Sequence, residues 1–314
     1  MKNGILKVLV NVIILLVILV VMDVVVGWGG AKYIKWLSHK PIDGDAALVN
    51  YNINSAKPDV AILGSSTAIC HYDPDIIHDS LLAYCGNDYE VFNMGVSNQR
   101  LTYDYYGLKC LLDRATPKIV IVDVWASYIG EGDQSFSFEA FRPHANINPN
   151  IKEMLKKHDE YGVVNWSNMY CYNTELVKLA MSVFKSGVTN GFSRNKVEKR
   201  EIDKQMDKDT TALFPLSMEE FDGIIGLSKE KGFQLFVVMS PTLRASDTTS
   251  LSYQYIKGEC EKNDVPFLDY SNDEGYYQTH YFRDNTHLNF YGAEVFTQKL
   301  MKDIKKYIIS KNNN

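Results

Sequence analysis

The stretch ILKVLVNVIILLVILVVMDVVVGW, Ile5 to Trp28, constrains this chain more than any other feature, because its interior is aliphatic at almost every position. As a helix, these 24 residues extend about 36 Å at 1.5 Å per residue, enough to cross a hydrocarbon layer of roughly 30 Å. The expectation is one uncleaved transmembrane anchor over residues 1–30. Lys7 can snorkel at one end, and Asp23 stands close enough to Trp28 to sit toward the interface at the other. The competing reading is a cleaved signal peptide, whose apolar region normally runs about 7–15 residues. The flanking charges do not set the orientation, since Lys2 and Lys7 precede the helix and Lys32, Lys35 and Lys40 follow it. A very short flank before a large domain resembles a bacterial signal anchor. The expected location is therefore the bacterial cytoplasmic membrane, single-pass, with the domain on the extracytoplasmic side.

Beyond the anchor, 314 residues with 46 % apolar content suffice for one large α/β domain or two small ones. A net charge of −5 without a basic patch excludes a nucleic-acid partner. Cys70, Cys85, Cys110, Cys171 and Cys260 lack metal-ligand spacing, and their odd number leaves at least one unpaired in a monomer. Buried free thiols are expected; a disulfide stays open if the domain is exported.

Residues 31–57, rich in Gly, Lys and Asn, read as a juxtamembrane connector. An alternation of apolar strands and periodic helices then starts. DVAILG, YEVFNMG, PKIVIVDVW, FQLFVVMSP and PFLDYS read as five buried strands. DPDIIHDSLLAYC, with Pro74 at a first helical position, LTYDYYGLKCLLDR, SMEEFDGIIGLSKEKG with a serine cap, SLSYQYIKGECEKN and NFYGAEVFTQKLMKDIKKYII read as helices. The irregular stretch from about 126 to 214 looks like an insertion carrying one or two helices. Its charged run SRNKVEKREIDKQMDKD reads as a solvated face or a loop. This pattern predicts an α/β fold over residues 58–314: a three-layer, doubly wound sheet of about five parallel strands, preceded by the transmembrane helix. Ligands of such sheets bind outside the carboxyl ends of the strands. The glycine fingerprints of dinucleotide and phosphate loops are absent.

The first strand leaves on Gly64 and is followed at once by Ser65 and Ser66. Two serines there are either a helix cap or a nucleophile. A serine becomes nucleophilic only when a base takes its proton and a carboxylate orients that base. YFRDNTHLNFYG supplies Asp284 and His287 before the final helix, at a spacing that puts both side chains on one face of a helical turn. Each pair alone is also what a cap and a surface histidine would look like. His71 and Tyr72, one turn past Ser66, either line a pocket or pack the helix. Arg283 either binds an anionic substrate group or is a surface arginine. Arg142 and His144 in FRPHANINPN suggest a substrate loop. Trp166, Tyr170 and Tyr172 suit sugar stacking or core packing.

ILGSSTA in the first strand-to-helix turn, FNMGVS after the second strand and DNTHLN before the last helix resemble the SGNH (GDSL-type) hydrolase superfamily. The resemblance covers about residues 58–308 and rests on these blocks alone. It implies a flavodoxin-like SGNH fold with Ser66 as nucleophile, His287 as base and Asp284 as its orienter. It also implies an oxyanion hole built from the backbone of Ser66 and Gly95. Where the superfamily has Gly-Asp-Ser, this chain has Gly64-Ser65-Ser66, as does the membrane-anchored branch that includes the DltD family. The third block, Gly-x-Asn-Asp, is missing, and the third strand ends in IVDVWAS. The alternatives are Asn98 as a substitute for the missing oxyanion donor, Asn93 in that role, or Trp125 merely shaping the site. His71 and Arg283 are candidate substrate contacts.

The implied activity is a membrane-anchored serine esterase or O-acyltransferase acting on acyl, expectedly acetyl, esters of a cell-envelope or extracellular glycan. No metal or cofactor is implied. The implied partners are the membrane, a glycan or acylated envelope polymer, and a membrane-bound acyltransferase. The alternative is a non-catalytic envelope or polysaccharide-assembly protein that uses the same fold to bind a glycan or a partner.

Overall fold

A computed structural model describes residues 2–312, except 131–134, 159, 161, 163–165, 173–174, 185–186, 188, 199–205 and 208–211. Much of the charged run expected as a solvated face lies outside the described residues. Helix α1, Lys2–Leu37, contains the apolar run and continues nine residues beyond Trp28. Val8 to Val21 project into solvent along its whole circumference, and by length and composition the helix is a candidate membrane span. Its last turns are different: Ile34 and Leu37 are buried against Ala47, Tyr172 and Leu179.

The expected connector is folded. It holds the end of α1 and helix α2, Asp45–Asn54. Asn50 and Asn52 of α2 are fully buried and donate to Ile34 O at 2.9 Å and to Met94 O at 2.9 Å.

The five expected strands are all present: β1 Val60–Leu63, β2 Val91–Asn93, β3 Ile119–Asp123, β5 Gln234–Met239 and β7 Phe267–Asp269. They form one parallel sheet in the order β2-β1-β3-β5-β7. The two-residue strands β4, Met206–Asp207, and β6, Ala245–Ser246, pair separately. Alternate residues of the sheet face opposite layers, as the two-residue strand period requires. Leu63, Val120, Val122, Leu235 and Val237 pack toward α5 (Leu101–Leu112), α10 (Pro215–Lys231) and α11 (Leu251–Lys262). Val60, Ile62, Ile121, Phe236 and Val238 pack toward α4 (Pro74–Cys85) and α12 (Phe290–Asn312). Two apolar layers explain why these strands read as unbroken apolar runs rather than alternating ones.

Helix starts largely follow the sequence signals. Asp73 caps α4 through Asp75 N at 3.0 Å, with Pro74 as the first helical residue. The serine cap expected for α10 is not observed. That helix begins at Pro215, so Ser217 is a buried residue inside its first turn. The insertion is richer than expected. It contributes α6 (Ser135–Phe141), α7 (Pro149–Lys157), α8 (Asn168–Tyr172) and α9 (Glu175–Ser182). All five cysteines are free, and all but Cys85 are buried.

Candidate active site

β1 ends at Leu63 and the chain turns on Gly64, whose φ of +139° lies where L side chains rarely go. Space is also short there: a Cβ on Gly64 would lie 2.9 Å from Asp123 O and 2.9 Å from Ala68 Cβ. The turn presents Ser66 as the first residue of the short helix α3, Ser66–His71. The two serines have separate environments. Ser65 precedes α3 but makes no side-chain cap; its Oγ accepts from Tyr128 OH at 2.6 Å. Ser66 Oγ lies 2.7 Å from His287 Nε2, across 221 residues of sequence.

His287 is held by its neighbours. Its Nδ1 is 2.9 Å from Asp284 Oδ2 and 3.0 Å from Oδ1. Asp284 Oδ1 also accepts from the N–H groups of Thr286 and His287, each at 2.8 Å. The pair is therefore set by a side-chain-to-backbone turn rather than by the helical turn that the spacing suggested. Burial works to raise the Asp284 carboxyl. The His287 ring and the two backbone N–H groups outweigh it and hold the carboxyl well below the usual carboxylate range. An ionised Asp284 fixes the proton of His287 on Nδ1 and leaves Nε2 to accept from the Ser66 hydroxyl.

Two expectations are corrected by where the chain places the residues. His71 does not line a pocket. It is fully buried, its Nδ1 is 2.8 Å from Ser240 Oγ, and its Nε2 accepts from Leu288 N at 2.9 Å. Burial, followed by the neighbouring His287 and Arg283, holds its basicity well below the ordinary histidine value, so the ring is neutral. His71 thus ties α3 to the segment carrying His287. Asn98 is exposed, at a φ of 60°, and lines a cavity of about 480 Å³ together with α2 and α9; that lining includes none of Ser66, Asp284 and His287.

Arg283 sits on the outer edge of the constellation, with Nε 3.4 Å from Asp284 Oδ2. Gly95 lies beside the serine turn, where a Cβ would come within 3.2 Å of Ser65 O. Its N–H, however, donates to Asn93 Oδ1 at 3.0 Å. Asn93 is spent within the fold, donating to Ala68 O at 2.7 Å. His144 is buried against Asn54, and Tyr172 is buried beneath α1, so neither is exposed to a substrate.

Asp123, at the end of β3, was not singled out from the sequence, although an acid closing an apolar strand is a visible signal. It is fully buried and accepts from Thr67 Oγ1 at 2.5 Å, Tyr72 OH at 2.6 Å and Ser240 N at 3.3 Å. Burial pushes its carboxyl up to about 6 against the pull of these bonds. Trp125 follows, with its indole N–H directed at Thr67 Oγ1 at 3.3 Å. It forms one wall of a cavity of about 260 Å³ at the carboxyl ends of β3, β5 and β7, with Ser240, Thr242, Arg244 and Asp247. Among the described residues, no group of three or more His, Cys, Asp and Glu side chains could hold a metal.

No protein-family model matches the chain, and no curated protein matches it in sequence. Among solved structures, it is similar to the acetyl xylan esterase AlAXEase, at 11 % identity and a TM-score of 0.40, over 78 % of this chain and 99 % of that one. It is also similar to the lipase/acylhydrolase from Enterococcus faecalis, at 14 % identity and a TM-score of 0.37, over 79 % of this chain and 96 % of that one.

Proposed function

We propose that this chain is a membrane-anchored serine esterase or O-acyltransferase of the SGNH type. The observation that carries the reading is the continuous relay from Asp284 through His287 to Ser66, with both links at hydrogen-bond distance. In this reading Ser66 Oγ attacks an ester carbonyl while His287 Nε2 takes its proton. The resulting imidazolium is stabilised by Asp284 and then protonates the departing alcohol. The acyl group is left on Ser66. Water as acceptor completes hydrolysis; a sugar hydroxyl completes transfer. The first N–H groups of α3 have no acceptor within their own helix, and Ser66 N is the nearest candidate to stabilise the tetrahedral oxyanion. Gly95 N–H joins it only by leaving Asn93 Oδ1.

The cavity bounded by Trp125 has none of Ser66, Asp284 and His287 in its lining and adjoins the serine turn through the Trp125–Thr67 contact; its indole, hydroxyl, guanidinium and carboxylate groups suit the mixed surface of a glycan. A small acyl group such as acetyl, on a cell-envelope or extracellular glycan, is the substrate class we assign. Helix α1 anchors the chain, with the domain on the extracytoplasmic side of the bacterial cytoplasmic membrane. An uncleaved anchor is supported by contacts inside the apolar run, where Asp23 accepts from Ser167 Oγ and Met169 N. A membrane-bound acyltransferase as donor is the partner this reading implies.

The test is a serine-reactive fluorophosphonate together with turnover of an acetyl ester. Wild type should label and turn over, and Ser66→Ala should do neither, with turnover down by roughly 10³-fold or more. Undiminished turnover in Ser66→Ala overturns the assignment. One observation favours the second reading, a non-catalytic envelope protein binding a glycan or partner: the Gly95 N–H is already bonded, and the third strand runs into IVDVWAS without the Gly-x-Asn-Asp block. Wild-type protein silent toward both reagents establishes that reading.

A further inference from the structure

Asp23 is the sole acidic residue in the first 42 positions, and it stands in the apolar run. An acid at the edge of a membrane span is costly unless it is paired or hydrogen-bonded. Its carboxylate is fully engaged by the insertion. It accepts from Ser167 Oγ at 2.6 Å, Met169 N at 2.9 Å, Asn168 N at 3.0 Å and Asn168 Nδ2 at 3.1 Å. Four residues along, Gly27 permits the close approach, since a Cβ there would lie 2.4 Å from the Asn168 side chain. Tyr172 OH donates to Gly27 O at 3.2 Å. The insertion therefore grips α1 at Asp23 and Gly27, not only at its buried end.

The level of that grip follows from helix geometry. A hydrocarbon layer of roughly 30 Å takes about 20 residues at 1.5 Å each, so a span starting at Ile5 ends beside Asp23. Side chains flanking the gripped residues must lie at the same level. They are Trp166, Met169 and Tyr170, which are 87 %, 42 % and 40 % exposed. A tryptophan so open to water is anomalous for a soluble surface, whereas Trp and Tyr beside an apolar span match the aromatic belt of the lipid interface. The Arg142 guanidinium lies 5.0 Å from the Tyr170 ring centre and pairs with Glu160 at 4.0 Å, which fixes the ring against the insertion. On α1 itself, Trp28 is 67 % exposed and carries Lys32 over its ring at 3.6 Å, repeating the pairing one turn further out.

We propose that the corner formed by Trp166, Met169 and Tyr170 is a second membrane contact. It would be inserted into the lipid headgroup and upper acyl region and held there by Asp23. The inference rests on the reading of α1 as an uncleaved span and adds to it a fixed seating of the domain on the bilayer. A chain tethered by a flexible linker would leave these residues in water. Here the carboxylate clamp and the continuous helix carry the domain down to the surface.

The experiment uses the full chain with Cys85 replaced by Ser, reconstituted into phosphatidylglycerol–phosphatidylcholine vesicles. Single cysteines at Trp166, Tyr170, Ile14 and Lys229 are labelled with an environment-sensitive fluorophore and quenched from the bilayer by doxyl-labelled lipid and from water by iodide. The expected result is lipid quenching at 14, 166 and 170, several-fold above that at 229, with iodide effective at 229. Lipid quenching at 14 with iodide quenching at 166 and 170 overturns the second contact and leaves the anchor standing. A label at 14 untouched by lipid overturns the anchor, and the inference with it. Labels at 166 and 170 shielded from both quenchers show the corner covered by protein, which also overturns lipid contact.

Discussion

At the scale of single residues, the site depends on groups beneath the reacting atoms as much as on the atoms themselves. Asp123 is the clearest case. In an unfolded chain an aspartate titrates near about 3.9, whereas burial moves it to about 6 here. A carboxyl whose folded value lies above its unfolded one makes the fold bind more protons between the two. Stability from this group is therefore complete below about pH 4, falls as pH rises, and is lost above about pH 6. Two units correspond to roughly 3 kcal/mol. Asp123→Asn removes the titration, so the advantage of wild type over the variant should shrink by about 2–3 kcal/mol from pH 4 to pH 7. Urea unfolding at the two pH values measures it, and a gap independent of pH refutes ionisation in that window. Asp284 has the opposite sign. Its lowered carboxyl stabilises above the ordinary carboxylate range and loses that effect as pH falls. Asp284→Asn should therefore lower turnover by roughly 10³–10⁴-fold while flattening the acid limb of the stability curve.

At the scale of elements, the turn between β1 and α3 aims Ser66. Gly64→Ala introduces a side chain at positive φ and against Asp123 O. The expected cost is roughly 1–3 kcal/mol. Displacement of Ser66 by a fraction of an ångström should slow fluorophosphonate labelling by about 10–100-fold. A variant that loses stability but labels at the wild-type rate would show that the turn does not aim Ser66. The strands of this layer were legible because each is a short apolar run, and β1, β2 and β3 are buried throughout. Helix α2 was not, for a physical reason: Asn50 and Asn52 occupy buried positions and break the apolar period, their side-chain N–H groups donating to Ile34 O and Met94 O. The site was legible in part. Gly64, Ser66, Asp284 and His287 occur in short blocks that can be read locally. The roles of His71 and Ser240 arise only where α3, β5 and the segment before α12 converge, which no local pattern encodes.

At the scale of the whole molecule, helix α1 and the domain share buried contacts. Ile34 is fully buried and Leu37 is 5 % exposed, both packed with Ala47, Tyr172 and Leu179. A boundary drawn at residue 30, where hydropathy falls, separates α1 from contacts it makes for two further turns. The consequence is measurable in chains shortened from the amino terminus. A chain starting at residue 29 keeps Ile34 and Leu37; one starting at residue 40 loses both. Burying one such side chain is worth about 1.5–3 kcal/mol, so the shorter chain should be less stable by roughly 3–6 kcal/mol. A chain starting at residue 58 loses α2 as well. The guanidinium of Arg114, which donates to Asn52 O at 2.6 Å and Ala56 O at 3.1 Å, is then left facing an open groove over α5. That chain should not fold. Equal urea midpoints for the chains starting at 29 and 40 would show instead that the end of α1 is only an attachment, and that the fold is complete without it.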